Sequence, residues 1–280
     1  MCRWLAYTGP TIFMDDLLIK PKHSLIDQSL HAKLNYVPGV GKWTTNGDGF
    51  GLGWYGERTF PGLYRSIRPA WNDENLRNLA AQIRSGLFFA HVRAATPGTE
   101  VQRTNSHPFR YKNWLFQHNG DVGDFWLLRR DMQCAVAPEL FPHIRGTTSS
   151  ETLFYLALTY GLERNPLTAM QRVVGLVERL RARHHVAMPA FLTLAFTNGR
   201  TIYALRYSSH YESKTLFYSR NLRAIHELNG DYEAIPEGAH ILVSEPLDDL
   251  SEDWQPVSES QFIIMEDGTV ESIPFEPAEV

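Results

Sequence analysis

Cysteine is scarce in this sequence, which has only Cys2 and Cys134 among its 280 residues. Two cysteines cannot build the disulfide framework that holds many small secreted domains together. The first residues also lack the basic stretch followed by an apolar stretch that marks a secretory signal. These absences predict a cytoplasmic protein whose fold relies on a hydrophobic core.

Long apolar runs and an excess of positive charge are missing as well. No segment approaches the roughly 18 consecutive apolar residues of a membrane-spanning helix. The 27 basic and 31 acidic residues give a formal net charge of −4, so the composition offers no basic surface for nucleic acid. We therefore expect no membrane and no nucleic acid as partner, and predict a small-molecule substrate or a protein partner instead.

Apolar residues, by contrast, are plentiful. They make up 43% of the chain, including seven Trp, 12 Tyr and 15 Phe, which is enough to bury the core of one large domain or two small ones. No repeat, low-complexity linker or change of composition divides the chain. We therefore predict a single domain over residues 1–280.

Periodicity predicts a mixture of helices and strands. Apolar residues at helical spacing predict helices over 72–85, 150–164 and 167–185, and Ser24 followed by Asp27 marks the start of another. Apolar strands are predicted over 2–7, from 87 onward, and over 114–121, 191–196, 201–207, 216–219, 239–244 and 261–265, with tight turns at 198–199 and 267–268. Periodicity alone therefore predicts one domain of mixed α and β structure.

Cys2 is the first candidate catalytic residue. It becomes the amino terminus once Met1 is trimmed, and its thiolate is a nucleophile whose proton can pass through a bridging water to its own α-amine, with a pKa near roughly 8. Alternatively, Cys2 is a small buried residue at the start of the first strand, as free cysteines commonly are. The residue alone leaves both interpretations open.

Arg93 stands at the end of the second apolar strand. An arginine that emerges from a strand buried on both faces is costly unless something negative meets it. Its planar guanidinium is suited to bidentate binding of a carboxylate. That carboxylate is either a ligand's or belongs to a protein Asp or Glu, and the pattern does not choose between them.

Asn119 and Gly120 end the next apolar strand. Asn-Gly commonly marks a hairpin turn, but it also presents a side-chain amide beside a backbone N–H, which an oxyanion hole requires. His107 and His118, taken singly, are predicted to be core or turn histidines. Asp48, in the glycine-rich stretch 45–55, is predicted to cap a tight turn near a site, or to reach a ligand.

Taken together and in this order, these motifs resemble the class II glutamine amidotransferases, which are N-terminal nucleophile hydrolases. The resemblance rests on the amino-terminal Cys2, His91-Val92-Arg93-Ala94-Ala95-Thr96, Asn105-Ser106-His107-Pro108 and His118-Asn119-Gly120. The stretches 1–3, 23–29, 46–55 and 244–247, with Trp254, are similar to a standalone branch that includes the ergothioneine-pathway γ-glutamyl hydrolase and glutathione-degradation amidotransferases. The resemblance implies an α+β fold, a four-layer α/β/β/α sandwich with two stacked, largely antiparallel sheets.

The resemblance also implies roles at particular positions. Cys2 matches the nucleophile, and Asn119 and Gly120 match the oxyanion hole. Arg93 matches the residue that grips the α-carboxylate of glutamine, with Thr96 beside it. His107 matches the histidine that supports this loop. The implied reaction is cleavage of the γ-glutamyl amide of glutamine or a γ-glutamyl compound through a thioester, with no cofactor or metal.

One position departs from the family pattern. The family has a Thr-Asp-Ser/Thr-Glu stretch whose aspartate binds the substrate's α-ammonium, and Ser149 occupies that aspartate's position here. Charge-assisted hydrogen bonds contribute about 1.5–3 kcal/mol against about 0.5–1.5 kcal/mol for neutral ones, so free glutamine is expected to bind about tenfold more weakly. A γ-glutamyl compound with a modified amino end then becomes a candidate substrate. Glu151 is the candidate replacement, or else a first-turn carboxylate that complements the helix dipole.

Two alternatives stay open. The first is a catalytically silent module of the same fold that binds a metabolite or a partner subunit, for which Ser149 is the only support. The second concerns the acceptor: the enzyme releases glutamate by hydrolysis, or passes ammonia to a synthase. We expect such a synthase to be a separate polypeptide, because the amidotransferase domain accounts for the whole sequence.

Overall fold

Two stacked β-sheets form the centre of the computed structural model, which describes residues 2–37, 41–96, 98–219, 236–249 and 253–279. The strands are β1 (Arg3–Phe13), β2 (Tyr36–Val37), β3 (Gly41–Lys42), β4 (Phe50–Trp54), β5 (Gly62–Ser66), β6 (Arg84–Val92), β7 (Phe109–Tyr111), β8 (Trp114–Val122), β9 (Ala190–Thr197), β10 (Ile202–Ser208), β11 (Phe217–Ser219), β12 (His240–Val243), β13 (Trp254–Pro256), β14 (Gln261–Glu266) and β15 (Thr269–Pro274). The helices are α1 (Asp15–Leu18), α2 (Leu25–His31), α3 (Glu74–Ala80), α4 (Phe125–Cys134), α5 (Ser149–Thr159) and α6 (Pro166–Arg183).

The strands pair in two large antiparallel groups. Within the described residues, the first sheet has the order β13-β11-β12-β1-β6-β4-β5 and the second has the order β15-β14-β10-β9-β8-β7. β1 and β6 run antiparallel beside each other in the first sheet, with Arg3 opposite Val92. β8 and β9 do the same in the second, with Asn119 opposite Thr193.

Buried apolar side chains divide the molecule into layers. One cluster fills the space between the sheets and includes Trp4, Phe89 and Leu115. A second cluster joins the outer face of the first sheet to α1, α2 and α3, and a third joins the outer face of the second sheet to α4, α5 and α6. Helices therefore cover both outer faces of two stacked sheets, which confirms the predicted α/β/β/α sandwich.

Most predicted elements are present, with shifted ends. Ser24 caps α2 as expected, because its Oγ accepts a hydrogen bond of 3.2 Å from the N–H of Asp27. The two predicted turns connect β9 to β10 and β14 to β15. α5 ends at Thr159, earlier than the predicted residue 164. None of the helices in the described ranges is both long enough and apolar enough to span a membrane.

The helix predicted over 72–85 was wrong in its second half. α3 ends at Ala80, and β6 already begins at Arg84. Ser85 pairs with Ile12 of β1, and its Oγ donates a 2.7 Å hydrogen bond to the main-chain oxygen of Tyr55. Sheet pairing with a distant segment therefore overrides the local helical pattern. The sequence also gave no sign of α4, which begins after Asp124 without a side-chain cap.

Candidate active site

Cys2 immediately precedes β1 and is nearly buried, with 8% of its surface exposed. Its Sγ lies 3.5 Å from the main-chain oxygen of Ala94. Since Arg3 is opposite Val92, continuing the same register places Cys2 opposite Arg93. Residues opposite each other in an antiparallel pair extend from the same face of the sheet, so Cys2 and Arg93 both emerge on the side of Trp4, toward the second sheet.

Hydrogen bonds between the sheets bring the end of β8 to the same place. Trp4 Nε1 donates a 3.2 Å hydrogen bond to the main-chain oxygen of Thr193, which is the register partner of Asn119. Gln117 Nε2 donates 3.0 Å to the main-chain oxygen of Leu5. The start of β1 and the end of β8 therefore adjoin. We call the region formed by Cys2, Arg93, Asn119 and Gly120 the amino-terminal corner.

In the described part of the chain, the partners of the Arg93 side chain are neutral oxygens. It is 3% exposed, and its guanidinium donates to the main-chain oxygens of Asp48 and Glu100, at 3.5 and 3.2 Å, and to Thr99 Oγ1 at 3.4 Å. Among the described residues, no carboxylate oxygen lies within the 4.0 Å limit of an ion pair with Arg93. An internal salt bridge, one of the two interpretations of this arginine, is therefore not found in the described part of the chain.

Asp48 and Gly49 hold the loop that follows Arg93. Asp48 Oδ2 accepts a 2.8 Å hydrogen bond from the N–H of Ala95, and the N–H of Asp48 donates 2.9 Å to the main-chain oxygen of Arg93. Gly49 has φ +115°, and a Cβ there would lie 2.5 Å from the main-chain oxygen of Ser66. This geometry agrees with Asp48 as a capping residue. Thr96 lies in the same loop and is exposed.

Asn119 is fully buried, and neither Nδ2 nor Oδ1 of its amide has a hydrogen-bond partner among the described residues. Leaving a buried polar group without a partner costs about 1–3 kcal/mol, so such groups are rare in folded proteins and call for an explanation. The residue lies inside β8, which continues to Val122. Asn119-Gly120 therefore does not form a hairpin turn, which was one of the two interpretations of this dipeptide.

The N–H of Gly120 points away from β9. The Gly123 N–H donates 3.2 Å to the Pro189 oxygen, and ladder bonds in an antiparallel pair fall on alternate residues. Gly120 therefore directs its N–H toward the other edge of β8, where β7 pairs only with 114–116. A Cβ at Gly120 would come within 1.8 Å of the main-chain oxygen of Phe191, so no larger residue fits.

Three buried histidines lie beneath the corner. The rings of His91 and His107 stack with centroids 4.3 Å apart, and His107 also meets Phe109 edge-on at 4.6 Å. His118 bonds Ser150 Oγ and the main-chain oxygen of Phe191, both at 2.9 Å. Burial lowers the pKa of His91 to about 3 and of His118 to about 4, and lowers the pKa of His107 well below its usual value. All three rings are therefore neutral at pH 7.

Glu151 is occupied by the loop before α5. Its carboxylate accepts hydrogen bonds from the main-chain N–H groups of Arg145 at 3.1 Å and Gly146 at 2.6 Å. Burial, partly offset by these hydrogen bonds, raises its pKa. Glu151 therefore holds the start of α5, as a first-turn carboxylate would, and is not available to replace the family aspartate.

Ser149 lies next to a carboxylate that sequence reasoning missed. Its Oγ donates a 3.3 Å hydrogen bond to Asp121 Oδ1, and Asp121 stands two residues after Asn119 in β8. The sequence contained a signal for Asp121, because residues two apart in a strand extend from the same face and Asp121 is two residues after Asn119. Among the described residues, no cluster of three His, Cys, Asp or Glu side chains could hold a metal ion.

An ionic network anchors the main chain of Cys2 from behind. Arg3 Nη1 donates 3.0 Å to the main-chain oxygen of Cys2, and Arg3 Nε donates 2.9 Å to Glu245 Oε2. Glu245 Oε1 bonds His23 Nε2 at 2.6 Å. Burial raises the pKa of Glu245, but the His23 hydrogen bond, the Arg3 charge and two main-chain N–H groups outweigh it and lower that pKa to about 2. No pattern in the sequence indicated this network.

Replacing Glu245 by glutamine is expected to lower the free energy of unfolding at pH 7 by about 1.5–3 kcal/mol, because charge-assisted hydrogen bonds become neutral ones. A lowered folded-state pKa gives stability that is complete above the ordinary value of 4.5 and is lost as pH falls toward about 2. In urea titrations, the difference in free energy of unfolding between wild type and Glu245→Gln should therefore become smaller as pH falls from 4.5 toward about 2. Glu163→Gln, at an exposed surface pair with Lys112, is the control and should cost less than about 1 kcal/mol. A difference in free energy of unfolding that does not change with pH would contradict the proposed contribution of the ionised Glu245 to stability.

Comparison with known proteins gives a consistent result. The model of the family described as glutamine amidotransferases class-II matches residues 23–279. The probable glutamine amidotransferase DUG3 of Saccharomyces cerevisiae is 32% identical, over 96% of this chain and 83% of its own length. The gamma-glutamyl-hercynylcysteine sulfoxide hydrolase of Mycolicibacterium smegmatis is 34% identical over 123 residues, which cover 44% of this chain and 52% of that protein.

Solved structures agree with the sequence relatives. A glutamine aminotransferase class-II domain protein from Silicibacter pomeroyi superposes with a TM-score of 0.73 and 32% identity, and the match covers 99% of both chains. The glutamine phosphoribosylpyrophosphate amidotransferase of B. subtilis shares the fold, with a TM-score of 0.64 at 12% identity, over 99% of this chain and 50% of that one. From the family match and these relatives, the chain is an enzyme that belongs to the class II glutamine amidotransferases.

Proposed function

We propose that this enzyme hydrolyses a γ-glutamyl amide through a thioester on Cys2. The observation that carries the proposal is the composition of the amino-terminal corner. This corner combines a thiol with a buried guanidinium and a buried amide, and in the described residues the guanidinium has no carboxylate partner and the amide has no hydrogen-bond partner. A substrate that supplies a carboxylate and a polarised carbonyl would meet both groups, the carboxylate at Arg93 and the carbonyl oxygen at the Asn119 amide.

Each group then has one task. Arg93 binds the α-carboxylate of the glutamyl part, with Thr96 on the adjoining loop, and His107 supports this region through its stacking on His91. The Cys2 thiolate attacks the side-chain carbonyl carbon after its proton passes to the Cys2 α-amine. The oxyanion accepts hydrogen bonds from Asn119 Nδ2 and the Gly120 N–H. The C–N bond of the amide then breaks, and the protonated α-amine of Cys2 gives its proton to the departing ammonia or amine. Water then attacks the thioester, releases glutamate and restores the thiol.

Water is the proposed final acceptor, and residues 1–280 are proposed to form one catalytic domain. One relative is a gamma-glutamyl-hercynylcysteine sulfoxide hydrolase, and this supports a γ-glutamyl compound as substrate and water as acceptor. A separate synthase that receives ammonia is the alternative partner arrangement. It predicts that glutamine turnover rises when the synthase is present.

A substrate screen tests the proposal. Purified protein with Met1 removed is incubated with glutamine, γ-glutamyl dipeptides and γ-glutamyl-modified amines, and glutamate release is measured with the ammonia or amine. Release of glutamate and amine in equal amounts from at least one compound supports the proposal. Binding of glutamate without turnover of any compound would favour the silent module instead, whose one sequence support is Ser149.

A further inference from the structure

We propose that Asp121, together with Ser149, receives the substrate's α-ammonium, so that the enzyme requires a free α-amine on its γ-glutamyl substrate. This inference rests on the proposed function and specifies its substrate class. It reverses the expectation, based on Ser149 alone, of a substrate with a modified amino end.

The direction of the Asp121 side chain follows from its place in β8. Val122 lies in the buried cluster that joins the second sheet to the helices, whereas Leu115 packs between the two sheets. Since strand side chains alternate, Asn119 and Asp121 both extend to the side of Leu115. Asp121 is therefore the next side chain beyond the amide of the amino-terminal corner.

Asp121 lacks a counter-ion in the described part of the chain. No nitrogen of Lys, Arg or His there lies within the 4.0 Å limit of an ion pair with its carboxylate. Lys214 stands over the ring of Phe191, the register partner of Asp121, with Nζ 4.7 Å from the ring centroid. It nevertheless donates its hydrogen bond to the main-chain oxygen of Tyr36, at 3.0 Å. Burial raises the pKa of Asp121 to about 6, which the Ser149 hydrogen bond only partly offsets.

The corner thus holds two opposite charges that no described protein group neutralises. Arg93 directly follows β6, which ends at Val92, and Asp121 is the next-to-last residue of β8. His91 Nε2 ties the two strands by a 3.1 Å hydrogen bond to the main-chain oxygen of His118, two residues before Arg93 and three before Asp121. The α-carboxylate and α-ammonium of a glutamyl group carry the complementary charges on one carbon. A zwitterionic ligand satisfies both, whereas an N-acylated one leaves Asp121 without a partner.

Ser149 then keeps a role at the family's ammonium site. Its hydroxyl lies 3.3 Å from Asp121 Oδ1 and orients that carboxylate. The family has its carboxylate at the start of α5, whereas in this protein the carboxylate lies near the end of β8. Glu151 cannot do this, because its oxygens are held by the N–H groups of Arg145 and Gly146. The carboxylate that binds the ammonium is therefore still present, on Asp121 and not at position 149, and Ser149 is hydrogen-bonded to it.

The test compares L-glutamine with glutaric acid monoamide, which has the same amide and carboxylate but no α-amine. Asp121→Asn is expected to raise KM for glutamine at least about tenfold, with kcat changed less than threefold, since one charge-assisted hydrogen bond becomes neutral. KM for the monoamide should not change. An equal effect on both compounds, or no effect on glutamine, would overturn the proposal.

Two further variants separate ammonium binding from a structural role. Asp124→Asn removes the same charge three residues away and should leave KM for glutamine within about twofold, as expected for a site outside the ligand contacts. The double variant Asp121→Asn with Ser149→Asp places a carboxylate at the family position and should recover most of the lost affinity. A purely structural Asp121 would not be rescued in this way.

Direct binding keeps the inference independent of turnover. Calorimetry measures the Kd of L-glutamate and of glutarate for wild type and Asp121→Asn. Wild type is expected to prefer L-glutamate, and the variant is expected to lose that preference. If wild type binds L-glutamate but cleaves no amide, the hydrolase proposal fails while the ammonium site stands. If both proteins bind glutarate as well as L-glutamate, the ammonium site fails.

Discussion

Replacing Cys2 by alanine is expected to lower kcat for γ-glutamyl amide hydrolysis by at least about 10⁴-fold, because no other nucleophile can form the thioester. The measurement is glutamate release from the substrate that the screen identifies. Cys2→Ala removes only the sulfur of a nearly buried residue whose main-chain oxygen still accepts from Arg3. The fold should therefore persist, as judged by circular dichroism and by binding of L-glutamate.

Cys134→Ala is the matched control, since Cys134 is the other free cysteine and is exposed. It should keep full activity. A further form, in which a residue is retained ahead of Cys2, should be nearly as inactive as Cys2→Ala, because the base in the mechanism is the α-amine of Cys2. Activity that survives Cys2→Ala would refute the thioester. If Cys2→Ala is inactive but the form with a residue retained ahead of Cys2 is active, the α-amine is not the base.

Replacing Asn119 by alanine is expected to lower kcat by about 10²–10³-fold with little change in KM, which is the usual effect of losing one donor to an oxyanion. The amide has no partner in the described chain, so its removal breaks no hydrogen bond within the protein. The free energy of unfolding in urea should therefore fall by no more than about 1 kcal/mol. Activity and stability are measured on the same preparation.

Asn46→Ala provides the contrast. Asn46 is equally buried, but its Nδ2 donates 2.9 Å to the main-chain oxygen of Gln28, and its Oδ1 accepts from Asn35 at 3.4 Å. This variant should lose about 1–3 kcal/mol of stability, since buried partners are left unsatisfied. Loss of stability in Asn119→Ala comparable to that in Asn46→Ala, or unchanged kcat, would show that the Asn119 amide serves the fold and not the reaction.

The sequence predicted the architecture well where local pattern and tertiary contact agree. Apolar runs gave β8 and β9, helical spacing gave α5 and α6, and Ser24 marked the start of α2. It failed where distant pairing decided the outcome, as at 84–85, which the predicted helix covered but which pair with β1 as part of β6. The missed α4 buries only Leu128 and Met132, a stripe too narrow to stand out in the sequence.

The order of motifs determined by itself which residues were candidates: a cysteine at position two, an arginine ending one strand and Asn-Gly ending another. Only the tertiary structure decided whether Arg93 had a protein carboxylate beside it, whether the Asn119 amide was paired, and what Ser149 contacted. The physical reason is that a charge or an amide is satisfied by whatever lies within a few ångströms, and those neighbours come from segments far apart in the chain. The proposed role of Asp121 arises in the same way, because nothing in the local sequence reveals that this partly buried carboxylate has no cation beside it in the described residues.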